Sequence, residues 1–175
     1  MRLQRLFVLA LCAVSVSALG CSDKTNPVAP VTETFTATLN GANERPTART
    51  TTATATATFT LTGDVLSWTI AMQNITNVSA AHIHIGGADV AGGVLQGLTA
   101  SGLSNTSITG SMNKSAFVPP GAPNAAVTWD QMIEMMRTGG AYVNVHTSDP
   151  TRTPDNGGAG DFPGGEIRGQ ITKVS

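Results

Sequence analysis

Charge is scarce in this chain of 175 residues. Only 12% are Asp, Glu, Lys or Arg, and the formal net charge is −1. Ten basic residues against eleven acidic ones leave no cationic surface, which argues against a nucleic-acid partner. The same scarcity excludes a coiled coil or a solvated helical array. Cysteine is limited to Cys12 and Cys21, so the remainder of the chain has no disulfide to form. The apolar run at residues 6–14 falls well short of the roughly 20 residues that a membrane-spanning helix needs. No Gly-x-Ser-x-Gly elbow marks a nucleophile, and the acids are too scattered to pair for glycoside hydrolysis. Gly86-Gly87 and Gly92-Gly93 lack the spacing of a phosphate-binding loop and suit tight turns instead. No residue is assigned a catalytic role, and the chain is not expected to be an enzyme.

What is present begins with an export signal. Arg2 and Arg5 precede the apolar run, and small residues follow up to Gly20, so residues 1–20 form a signal peptide. Ala18-Leu19-Gly20-Cys21 reads as a lipoprotein cleavage box, with Cys21 as the lipid-modified first residue of the mature chain; Ala18 and Gly20 also suit an ordinary signal peptidase. A lone cysteine at that boundary is better explained by lipidation than by a stray thiol. Residues 21–33, with Pro27 and Pro30 among polar neighbours, form a flexible tether. Loss of Arg2 and Arg5 leaves eight basic residues against eleven acidic ones, a net −3 that identifies no partner.

From Thr34 onward hydrophobicity alternates with a period of two. Phe35, Ala37 and Leu39 mark one half-buried strand, and Asn40-Gly41 offers a turn. Ala53, Ala55, Ala57, Phe59 and Leu61 alternate with threonines in a second strand. Gly63-Asp64 then turns the chain into a third strand carrying Leu66, Trp68, Ile70 and Met72. Further strands are expected at residues 80–85, 93–98, 107–112, 141–147 and 166–174. One helix interrupts them near residues 128–138. Thr128 and Gln131 have capping-box spacing, Trp129, Met132, Ile133 and Met136 form one apolar stripe, and Gly139-Gly140 ends the helix. That stripe is packing rather than a cofactor box. The pattern predicts an all-β Greek-key sandwich or barrel, immunoglobulin-like or superoxide-dismutase-like, with one short helix.

The three histidines all stand on strands. His82 and His84 share one strand face, with Ile83 opposite. Tyr142, Asn144 and His146 share a face of another, against Val143 and Val145. Glu166 and Arg168 flank Ile167 in the same way. Ala80-Ala81-His82-Ile83-His84, then Tyr142-Val143-Asn144-Val145-His146-Thr147, then Gly164-Gly165-Glu166-Ile167-Arg168-Gly169-Gln170 resemble the CHRD (chordin-type) domain family. Residues 35–41 and Asn43-Glu44-Arg45-Pro46 are similar to its opening strand and turn, although Arg45 stands where a more acidic or proline-rich turn is usual. The loop at residues 147–163 is extended relative to that pattern. The resemblance covers residues 34–175 and implies an extracytoplasmic β-sandwich module without an established enzymatic activity.

Two readings of the polar faces remain open. His82, His84 and His146 can supply three imidazoles to one copper or zinc ion, with Asn144 and Glu166 as further or outer partners. His-Ile-His also looks like the His-x-His strand of copper-zinc superoxide dismutases, but three histidines are too few for a dinuclear enzyme of that type. Alternatively the imidazoles donate to Glu166, with Arg168 and Asn144 completing a structural polar network. Asp149, Asp155, Asn156 and Asp161 make the late loop oxygen-rich, yet EF-hand spacing is absent and a solvated loop is the expectation, with no calcium site assigned. The function expected is a non-enzymatic binding or envelope module. It would be exported by the general route and lipid-anchored in the envelope at the outer membrane, with an unidentified protein or glycan ligand. The alternative is a mononuclear copper- or zinc-binding protein with redox chemistry within reach. No cofactor beyond that single ion is expected.

Overall fold

A computed structural model describes residues 29–99, 103–119, 126–151 and 158–174. The signal segment, Cys21 and most of the tether, and Asp155 and Asn156 of the late loop, lie outside them. The alternating threonines build the first three strands: β1 (Thr32–Asn40), β2 (Thr54–Thr62) and β3 (Val65–Gln73). In β2 the residues Ala55, Ala57, Phe59 and Leu61 are buried, while the threonines face outward, where a β-branched side chain suits a pleated surface. Gly63, at φ 56°, and Asp64 close the β2–β3 hairpin as expected. Asn40-Gly41 does not make a comparable turn. Asn40 pairs with Thr54, and residues 41–53 loop out between them after a short 3-10 turn at Gly41–Asn43.

The remaining strands are β4 (Val78–Ile85), β5 (Val94–Gly97), β6 (Ser107–Asn113), β7 (Ala141–Thr147), β8 (Ile167–Gln170) and β9 (Thr172–Lys173). The single strand expected at 166–174 is thus two short ones, separated at the buried Ile171. All pair antiparallel in one continuous sheet ordered β5-β4-β7-β8-β1-β2-β3-β6, with β9 beside β1. The all-β expectation holds, and the sheet curls into a half-barrel. Near its two ends the indole Nε1 of Trp68 on β3 donates to the Leu98 carbonyl just beyond β5 at 2.9 Å. The concave face holds one apolar cluster that includes Phe35, Phe59, Leu66, Ile70, Ile83 and Val143. Burial of this kind is worth about 25 cal/mol per Å² of apolar surface and dominates the stability of the fold.

Helix α1 (Trp129–Thr138) adds Trp129, Met132, Ile133 and Met136 to that cluster. Thr128 and Gln131 form the reciprocal capping box, and Gly139 ends the helix at φ 74°. Arg137 in its last turn pairs with Glu33 on β1, which also takes Lys173 Nζ at 3.0 Å. These contacts pin the helix to the sheet.

The central strand β7 is buried along nearly its whole length on both faces. Its inner face meets the apolar core. Its outer face, with those of β4 and β8, lies beneath the loops at residues 41–53, 86–93 and 158–165. Every side chain singled out for chemistry belongs to this second, polar layer or its margin.

Candidate metal centre

The pairing register assembles the histidines. In the β4–β7 ladder Ala80 faces His146, His82 faces Asn144, and His84 faces Tyr142. Paired residues share a sheet face, so His82, His84 and His146 stand together on the outer side. Their ring centroids lie 4.9 to 5.8 Å apart, and one nitrogen from each falls within 4.8 Å of the others. Among the described residues they form the one group of three or more His, Cys, Asp or Glu side chains close enough to hold an ion.

Backbone carbonyls orient two of the rings. His84 Nδ1 lies 2.9 Å from the Gly92 carbonyl, and His146 Nδ1 lies 2.9 Å from the Pro163 carbonyl. A carbonyl only accepts, so both neutral rings carry their proton on Nδ1 and present a bare Nε2. His84 Nε2 is buried with no hydrogen-bond partner, and His146 Nε2 faces His82 Nδ1 at 3.1 Å. Donation of the second ring nitrogen to a backbone carbonyl is how metal-bound histidines are commonly held. Being bare, His146 Nε2 accepts from His82 Nδ1, so the buried nitrogen left with no hydrogen bond is His84 Nε2.

Gly92 is confined to glycine, because a Cβ there would lie 1.7 Å from the Ile85 carbonyl oxygen. Tyr142 Oη receives the Gly92 N–H at 3.0 Å and donates to the Gly92 carbonyl at 3.2 Å. Its ring also stacks on His84 at 5.0 Å, with the two planes 13° apart. One glycine and one tyrosine therefore fix the His84 ring.

Burial keeps the imidazoles neutral. It is the main cause that lowers His82 to about 4, helped by the neighbouring His146 and His84. Burial likewise lowers His84 and His146, each against the opposing pull of its carbonyl hydrogen bond. Metal uptake requires neutral imidazole. Three ordinary histidines, with pKa about 6.5, would together lose about a thousandfold in affinity by pH 5.5. Here affinity is expected to fall by less than that between pH 7 and pH 5.5, measured by competition with a chelator at each pH; a loss as large as that of ordinary histidines would contradict the burial of the rings. The metal-free protein carries the complementary signature. Histidines whose folded pKa is depressed stabilise fully above about 6.5, and that stability drains as pH falls toward 4.

The other residues of the expected network part company. Glu166, fully buried, lies one residue ahead of β8, where Gly165 at φ 118° breaks the strand alternation. It accepts from Thr51 Oγ1 at 2.6 Å, Thr147 Oγ1 at 2.7 Å and the Gly160 N–H at 2.9 Å, not from a histidine. Arg168 does not pair with it. The Arg168 guanidinium lies 3.4 Å from the centroid of the Tyr142 ring, and Nη2 donates to the Gly87 carbonyl at 2.7 Å. Asn144 turns to a residue the pattern did not single out: Glu44, 2% exposed, whose two carboxylate oxygens take Asn144 Nδ2 at 2.8 and 3.0 Å. Burial pushes Glu44 up to about 7 against that hydrogen bond and the nearby Arg168 and Arg49. In the late loop Asp161 is buried and accepts the Asp149 N–H, a contact that closes the loop.

The CHRD domain family matches residues 35–153, more than half of the chain, and the match spans β1 through β7 with all three histidines. The chain belongs to the CHRD family. This CHRD domain is of an extracellular type. Its third motif, at residues 164–170, falls beyond the matched stretch, yet β8 inserts between β7 and β1 and completes the same sheet. No curated protein matches the chain.

Proposed function

We propose that this CHRD domain is an extracytoplasmic binding module that holds one copper or zinc ion through His82, His84 and His146. The observation that carries the reading is the pair of rings locked with Nδ1 on carbonyls, which leaves the buried His84 Nε2 without a partner beside two further imidazole nitrogens. Unpaired buried polar nitrogens are costly, and an ion removes that cost. The rings of His82 and His146 are only half-buried, so the ion would be reached from that side.

Titration of the purified domain, from Ser22 onward, tests the reading. One equivalent of copper or zinc bound per chain supports it, and no saturable uptake of either ion contradicts it. The proposal includes export and anchoring through Cys21, on the strength of the cleavage box. Cys21→Ser is expected to move the protein from the membrane to the soluble fraction; continued membrane retention would remove the lipid anchor from the proposal. Tethered in this way, the module would meet protein or glycan ligands through its end loops without needing an activity of its own.

A further inference from the structure

All three ring nitrogens at the centre belong to neutral imidazoles, and among the described residues no carboxylate joins them. The outer hydrogen bonds of His84 and His146 also end on neutral carbonyls. Zinc sites commonly use carboxylates at this point, which raise the basicity of the ring. Tyr142 lies between His84 on the β4 side and Arg168 on the β8 side, with the guanidinium carbon 3.4 Å and the imidazole centroid 5.0 Å from its ring centre. The charged side chains assembled about this stack are Arg45, Arg49 and Arg168 against Glu44 and Asp89. Asp89 is engaged by Arg45 at 3.0 Å and is largely exposed. Of these charges, Arg168 is the one whose field reaches His84.

Resting on the metal-site reading above, we propose that the centre takes copper in its monovalent state in preference to divalent zinc, and that the Arg168–Tyr142 stack sets this preference. A second unit of charge on the ion is disfavoured by the guanidinium held behind Tyr142; for unit charges about 10 Å apart at an effective dielectric constant of about 20 the penalty is about tenfold. Zinc on three imidazoles takes a water as its fourth ligand, so the number of donors does not separate the two ions and the preference rests on the charge of Arg168. Arg168 acts through Tyr142 and His84, so it is a positioning residue.

The test compares affinities of the mature chain for Cu(I), held anaerobically with ascorbate and competed with bathocuproine disulfonate, and for Zn(II), competed with a chelating indicator. The expected result is one equivalent of each at most, with Cu(I) bound at least about tenfold more tightly. Zinc bound as tightly as Cu(I) overturns the preference and leaves the metal site standing; neither ion bound overturns both. Arg168→Met, with folding checked by circular dichroism, is expected to narrow the Cu(I)-to-Zn(II) ratio about tenfold. A purely structural role for Arg168 would weaken both ions alike, and an unchanged ratio in the folded variant would take the preference away from the stack. If that variant does not fold, the ratio in the unaltered protein still decides the preference.

Discussion

Replacing His84 with alanine is expected to abolish stoichiometric copper and zinc binding while the domain stays folded. His84 Nε2 is the buried nitrogen without a partner, and its loss leaves two imidazoles that are half-buried and opposed at 3.1 Å. The effect should exceed the roughly 10–100-fold that removal of an outer hydrogen-bond partner costs a metal site. The fold survives because the Gly92 carbonyl keeps its bond from Tyr142, and the Arg168–Tyr142 contact does not involve the imidazole. Calorimetric titration of the variant beside the unaltered chain checks it. Equal uptake by the two proteins would place the ion elsewhere.

Glu166→Ala should produce the largest loss of stability. The carboxylate is fully buried, has no ion-pair partner among the described residues, and is held by three donors from three segments: Thr51 in the loop after β1, Thr147 at the end of β7, and Gly160 in the late loop. Each donor stranded in the interior costs about 1–3 kcal/mol. The expected sum is about 3–5 kcal/mol, a large share of the stability of a domain this size. Thr51→Val, which removes a single donor, should cost only about 1 kcal/mol. The loop that Glu166 closes also carries the Pro163 carbonyl behind His146, so metal affinity should fall in the same variant. Urea denaturation gives the answer; a cost below about 1 kcal/mol would mean that the late loop is not anchored by this carboxylate.

The two charge-bearing sites respond oppositely to pH, which sets where the protein is most stable. Glu44, raised to about 7, stabilises fully below 4.5 and loses that contribution as pH rises through 7. The histidines lose theirs as pH falls below about 6.5.

Much of this was legible in the residues themselves. The threonine–alanine alternation fixed the face of β2 because period-two burial leaves no other way to hide Phe59 and Leu61. Thr128, Gln131 and Gly139 marked both ends of α1 through local hydrogen bonding alone. His82 and His84 could be placed on one face for the same reason, and two strand fragments sufficed to nominate His146 as their companion. The partners of those rings were not legible. Gly92 and Pro163 contribute carbonyls, and a backbone group has no signature in sequence. Glu44 stands in a turn motif beside Arg45 and Pro46 with no mark of burial, and the folding of residues 41–53 over the outer face of β7 buries it. Glu166 and Arg168 share a parity that implies a common face, but parity applies within a strand. Glu166 precedes β8, and Gly165 takes φ 118° because it has no Cβ; a Cβ there would also meet Asn144 Oδ1 at 2.5 Å.

X-ray absorption spectroscopy of the copper-loaded mature chain tests the central claim most directly. The account predicts nitrogen scatterers at about 2.0 Å with the outer-shell pattern of three imidazoles. A spectrum fitted by oxygen donors alone, or by fewer than two imidazoles, would contradict it.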